Sequence, residues 1–154
     1  MAEADRVQVT CEPAGRARVR VRVRVVNGSD LEVHLFDSPR MPYLIREEDG
    51  TLLVLYGVNP PDPELDYFGI EIPLTKPLPA GGSVEYEVRL SPLNLHDHYE
   101  ADREATELHG TLTVRCEVGW TERPITAEER QRWSITTLLE AQHLARSEAV
   151  QVEF

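Results

Sequence analysis

The chain has 154 residues, 41% of them hydrophobic, and a formal charge of −11 at pH 7, enough for one globular domain over residues 1–154 with a core of its own. No apolar run approaches the roughly 20 residues that span a bilayer, and a surface this acidic repels phosphate backbones, so neither membrane nor nucleic acid is an expected partner. The opening residues MAEADRVQVT hold no basic segment followed by an apolar one, so a cytoplasmic protein is expected. Fifteen of the 16 basic residues are arginine, the exception being Lys76; the bias suggests a GC-rich bacterial genome.

Alternation of apolar and polar residues, the signature of a strand with one face buried, prevails along the chain. Val7, Val9 and Cys11 form a first strand that ends at the turn signal EPAG. In RARVRVRVRV, residues 16–25, Ala17, Val19, Val21, Val23 and Val25 take one face of a second strand and Arg16, Arg18, Arg20, Arg22 and Arg24 the other. A basic arm that held phosphates would not need the valines, so a charged outer sheet face is expected. NGSD then turns the chain into a third strand with Leu31, Val33 and Leu35, which stops at DSPRMP. YLIREEDGTLLVLYG is two apolar runs around Asp49-Gly50, a hairpin signal.

VNPPDPELD, residues 58–66, has three prolines and predicts a loop. YFGIEIPL follows, KPLPAGG predicts a turn, and SVEYEVRL predicts a strand with Val84, Tyr86, Val88 and Leu90 inward. The polar stretch 91–107 is long for an unstructured connection. LHGTLTVRCEV restores alternation, with Leu108, Gly110, Leu112, Val114, Cys116 and Val118 on one face. TAEE, residues 126–129, has the form of a capping box and predicts a short helix from Ala127. SITTLLEAQHLA fits helix or strand, and AVQVEF returns to strand with Val150, Val152 and Phe154 inward. Seven to nine short strands at this spacing predict an all-β fold, an antiparallel β-sandwich with one short helix near residues 127–140. A closed barrel is the competing architecture.

The stretch RVRVVNGSDLEVHLFDS, an alternating strand running into a turn and then an apolar strand, resembles the early strands of bacterial immunoglobulin-like domains, among them the intracellular proteinase inhibitor group. The similarity extends through LIREEDGTLLVLYG and LPAGGSVEYEVRL, and LARSEAVQVEF resembles a final strand. The resemblance implies an immunoglobulin-like sandwich in which the arginine strand comes second and pairs with the fifth strand, for which SVEYEVRL is the candidate. Glu85 and Glu87 would then face the arginines, and cross-strand pairs would offset the repulsion within the row. Protease inhibition is implied by analogy with that group, and no reactive-site motif carries over.

HDHYEADREATELH is the sharpest chemical candidate. On a strand His96 and His98 would share a face and ligate a divalent cation, with Asp102 as third ligand. The pair resembles the first half of a cupin metal motif, but Leu90 stands where cupins have glycine, and Asp102 or Arg103 where they have glutamate. A solvated acidic loop is the alternative, and His34 and His143 read as surface residues of a strand or helix. Cys11 and Cys116, far apart in sequence, make no disulfide framework and read as small buried hydrophobes. No nucleophile elbow and no phosphate-cradling glycine loop occurs.

Tyr43, Tyr56, Tyr67, Phe68, Trp120 and Trp133 fill a core or anchor an interface. Tyr67 and Phe68 are adjacent and cannot both point inward from a strand. With Arg18, Arg20 and Arg22 they are the candidate interaction residues. The expected function is a non-catalytic protein-binding or accessory module with a protein partner and no cofactor, acting through sheet edges or the acidic 58–66 and 91–107 loops. A cupin-like metal-binding protein using His96 and His98, or a protease inhibitor, is the alternative.

Overall fold

The computed structural model describes residues 6–14, 20–64, 70–90, 94–99 and 110–154. In chain order the strands are β1 (Val7–Pro13), β2 (Arg20–Asn27), β3 (Val33–Phe36), β4 (Tyr43–Arg46), β5 (Leu52–Tyr56), β6 (Thr75–Leu78), β7 (Ser83–Arg89) and β8 (Thr111–Thr121). The helix α1 (Ile135–Ala141) follows, then β9 (His143–Arg146) and β10 (Val150–Glu153). The fold is all-β with one short helix, as the alternation predicts, and has ten strands among the described residues rather than seven to nine. No helix among them is long and apolar enough to cross a membrane.

β1, β2 and β7 form an antiparallel sheet in the order β1-β2-β7. A second sheet runs β4-β5-β8-β3-β6, and β9 and β10 pair with β8 as well. One core lies between the sheets, with Val9, Cys11, Val21, Val23, Val25 and Val88 from the smaller meeting Leu35, Leu52, Val54, Val114, Cys116, Val118 and Trp120 from the larger.

The larger sheet is covered on its other face too, which alternation alone does not reveal. Phe36, Val58 and Ile125 pack there with Leu138 of α1, and Tyr43, Leu53 and Leu55 form a further cluster. Every residue of β3 and of β5 is accordingly buried. Burial on both faces is the usual setting of parallel pairing, and β5 pairs parallel to β8, with Val54 opposite Cys116. This corrects the purely antiparallel expectation.

Other departures have local causes. The DG hairpin forms as expected between β4 and β5, with Gly50 at φ +89°. KPLPAGG is strand through Leu78, and only its second half turns; Pro77 is tolerated because β6 is an edge strand. YFGIEIPL forms no strand among its described residues 70–74. Leu31 precedes β3 and is exposed rather than inward. At TAEE, Thr126 Oγ1 does accept from Glu129 N at 3.3 Å, but the chain makes only a turn and a single 3-10 turn, Arg130–Arg132. The helix starts after Ser134, whose side chain and that of Thr137 each bond the other's backbone N–H, a capping box with Thr in place of Glu.

Candidate functional site

The outer face of the three-stranded sheet carries the arginine row. Because β2 alternates strictly, Val21, Val23 and Val25 are buried and Arg22 and Arg24 exposed. SVEYEVRL is indeed the partner of β2, with Glu87 opposite Arg22, Glu85 opposite Arg24 and Arg89 opposite Arg20. On the other side Thr10 lies opposite Arg24 and Glu12 opposite Arg22. Glu87 joins two arginines, at 3.2 Å from Arg20 and 3.9 Å from Arg22. Both pairs are solvent-exposed and each contributes at most about 1 kcal/mol. Arg24 has no ion-pair partner among the described residues. It lines a depression of about 260 Å³ with Gln8, Thr10, Glu12, Arg22, Val26 and Glu85. Arg18, Tyr67 and Phe68, the other candidate interaction residues, lie outside the described residues.

A second polar cluster joins the two acidic loops. Arg40 donates to the carbonyls of His98 and Asp97, each at 3.0 Å. Asn59 accepts from His98 N and donates to Asp97, and Tyr99 Oη donates to the Asn59 carbonyl at 2.6 Å. His96 and His98 do not lie on a strand; His96 makes only an isolated bridge with Leu44. Both rings nevertheless stand edge-on to Tyr43, at 5.5 and 5.6 Å.

No family model, curated protein or solved structure matches the chain. What the cluster does chemically therefore has to be read from its hydrogen bonds. The Glu71 carbonyl, 2.7 Å from His98 Nε2, only accepts, so Nε2 carries the proton. In the neutral ring Nδ1 then accepts from Tyr43 Oη at 2.6 Å. The nitrogens of His96 lie 3.0 Å from the carbonyl oxygens of Asn94 and Arg40. To ligate a cation His98 would have to give up one of these bonds, and a cation at either nitrogen of His96 would have to displace the carbonyl oxygen facing it. Among the described residues no group of three or more His, Cys, Asp or Glu is placed to hold a metal; Asp102 lies outside them.

Burial dominates the titration of Tyr43 and His98. It pushes the Tyr43 phenol up to about 12 and holds His98 below the ordinary histidine value of 6.5, against the opposing pull of the Glu71 carbonyl. A histidine depressed in the folded state is protonated more readily in the unfolded chain. Its contribution to stability is therefore complete above about pH 6.5 and shrinks as the pH falls toward the folded-state pKa. Denaturant unfolding between pH 7.5 and 5 should show this loss, and His98→Asn should flatten the slope; equal slopes in both proteins would contradict the assignment.

His34 and His143 are not simple surface residues. His34 is buried, with Nδ1 lacking a hydrogen-bond partner among the described residues, and His143 stacks on Trp120 at 4.4 Å. Alternation does not foresee either: the burial of His34 depends on what covers the outer face of the larger sheet, and the stacking of His143 on its pairing with Trp120. A further buried charge, Glu117, is held by Arg146 at 2.9 Å and Arg115 at 3.4 Å, and Arg115 also reaches Glu47 at 2.7 Å. This chain ties β8 to β9 and to the end of the β4 hairpin.

Proposed function

We propose that the chain is a non-catalytic, immunoglobulin-like binding module of a bacterial cytoplasm that docks another protein on the outer face of the β1-β2-β7 sheet. The observation that carries this is Arg24, exposed and without an ion-pair partner among the described residues, beside a depression bounded by Glu12 and Glu85. A guanidinium has five donors in a fork that fits a carboxylate and no acceptor. The two glutamates at the rim disfavour a uniformly acidic ligand such as a nucleic-acid backbone. The fitting partner presents one carboxylate to Arg24 and basic side chains to Glu12 and Glu85. Among the described residues β1 and β7 each have a single hydrogen-bonded neighbour, so the charged face ends there in two strand edges open to the same partner.

The test is cross-linking of the wild-type chain and of Arg24→Glu in cells of the source organism, followed by affinity measurement with each purified candidate. Arg24→Glu should weaken a genuine partner roughly tenfold or more, since a charged hydrogen bond is worth about 1.5–3 kcal/mol. Reversing the partner's carboxylate should restore binding. If Arg24→Glu and Arg22→Glu retain every partner at unchanged affinity, this face is not the docking surface.

A further inference from the structure

The two edges of the smaller sheet are not equivalent. On β1 the inward row Val7, Val9 and Cys11 is buried, and the strand lies against β9 and β10 of the larger sheet. On β7 only Val88 of the inward row is buried. Val84 and Tyr86 are half-buried, although their partners on β2, Val25 and Val23, are 0% exposed. The Tyr86 ring stacks on Tyr56 at 4.4 Å, and the Lys76 ammonium lies 5.6 Å from its centre, so this row is packed on its core side and incompletely covered along the margin of the sheet.

The backbone of β7 is open along the same margin. Asn27 N donates to Gly82 O and Asn27 O accepts from Gly81 N, so both polar groups of Asn27 point to the β7 side. By antiparallel alternation Val25, Val23 and Val21 point theirs the same way, at Val84, Tyr86 and Val88. Gly28 N to Arg6 O and Ala14 N to Arg20 O turn the even-numbered residues of β2 toward β1, as this requires. The N–H and C=O groups of Ser83, Glu85 and Glu87 therefore face away from the sheet, and among the described residues nothing bonds to them. The other edges are guarded, as exposed edges usually are. β6 carries Pro77, which has no N–H. β4 is bridged by His96, through Leu44 N to His96 O at 3.1 Å and His96 N to Leu44 O at 3.0 Å, and β9 and β10 have four residues each. β7 has seven residues and no such guard among the described residues.

The charges on β7 choose what can add there. Glu87 is held from the β2 side by Arg20 and Arg22, and Glu85 has no ion-pair partner among the described residues. A strand with basic residues beside Glu85 and Glu87 and apolar ones beside Val84 and Tyr86 completes both faces, whereas an acidic strand sets like charges directly opposite one another. We propose that the β7 edge takes up an extended segment of the partner protein, alternating basic and apolar residues, as a fourth strand of the smaller sheet, which rests on that sheet being the docking surface.

The experiment is amide hydrogen exchange, followed residue by residue by NMR on the full chain, alone and with a synthetic peptide that alternates lysine and valine. In the free chain Glu85 and Glu87 should exchange at least about tenfold faster than Tyr86 and Val88, whose N–H groups bond within the sheet. The peptide should slow Glu85 and Glu87, and one alternating glutamate and valine should not. Glu87→Pro removes an outward N–H and no bond to β2, so it should weaken lysine-valine binding about tenfold relative to Glu87→Gln, which keeps that N–H. The wild-type exchange pattern decides if Glu87→Pro folds poorly. Glu85 and Glu87 already protected in the free chain, slowing at β1 instead of β7, equal binding of the two peptides, or equal affinity of Glu87→Pro and Glu87→Gln would each overturn strand addition. A cross-linked partner that is lost on Arg24→Glu yet binds both Glu87 variants equally would remove the edge and keep the docking face. One that is indifferent to Arg24→Glu but weakened by Glu87→Pro would remove the face and keep the edge.

Discussion

Replacing Gly119 with alanine is expected to destabilise the protein by about 3 kcal/mol, combining overpacking with two lost hydrogen bonds. Gly119 lies in β8 opposite Leu144. The side-chain amide of Gln142, just beyond α1, crosses directly above it. Gln142 Oε1 accepts from Val58 N and Nε2 donates to Val58 O, both at 2.9 Å, so one side chain pairs with Val58 as a neighbouring strand would. A methyl group at 119 would collide with Oε1 and stand 3.1 Å from Phe36 Cδ2, and one at Gly57 would fall 2.8 Å from the same oxygen. A glutamine end normally swings aside at little cost; this one is pinned, and moving it releases both bonds to Val58. Gln142→Ala alone should cost about 2 kcal/mol. In the Gln142→Ala background the cost of Gly119→Ala should fall by more than 1 kcal/mol, the sign of direct coupling. Denaturant melts of the four proteins measure this, and strict additivity would show that the glycine is required for some other reason.

The same region shows what the sequence makes legible. Wherever one face of a strand is solvated, period two is sufficient to show the strand and its inward face, as in β1, β2 and β7; the pairing of β2 with β7, which sets Glu85 and Glu87 opposite the arginines, is implied by the resemblance and not by alternation. On the larger sheet both faces are covered, and the signal is lost. LLVLY is a continuous apolar run equally suited to either direction of pairing, so its parallel alignment with β8 depends on contacts many residues away. Cys11 and Cys116 were readable as buried, since each occupies an inward position. The histidine cluster follows the same rule. The spacing of His96 and His98 fits a metal pair as well as a solvated acidic loop in which they are incidental, and only the carbonyls of Asn94, Arg40 and Glu71, together with Tyr43, show what faces their nitrogens.

Asn27 reads in sequence as an ordinary turn former, and its replacement is expected to be among the most damaging single changes in the chain. Its side chain is fully buried. Nδ2 donates to the carbonyls of Leu31 at 2.8 Å, Leu78 at 3.0 Å and Pro79 at 3.2 Å. Oδ1 accepts from both Ser29 N and Ser29 Oγ. Its backbone adds Asn27 N to Gly82 O and Gly81 N to Asn27 O, each at 2.9 Å. One residue thus fastens the turn after β2 to the turn before β7, across the boundary between the two sheets. Asn27→Leu keeps the branched heavy-atom skeleton but is bulkier and leaves one buried and two half-buried carbonyls without this donor, at about 1–3 kcal/mol for a buried group, so a loss of about 4 kcal/mol is expected. Asn27→Asp separates hydrogen bonding from packing. It keeps the acceptor toward Ser29 and turns a carboxylate oxygen on three carbonyl oxygens, which raises its pKa above the unfolded value near 4. The protonated form donates one hydrogen bond, so the Asn27→Asp variant should be most stable below about pH 4 and lose stability as the pH rises through the folded-state value. Measured relative to wild type, that loss with rising pH runs opposite to the His98 effect, in which stability falls as the pH is lowered, and a pH-independent Asn27→Asp penalty would place the cost in packing instead.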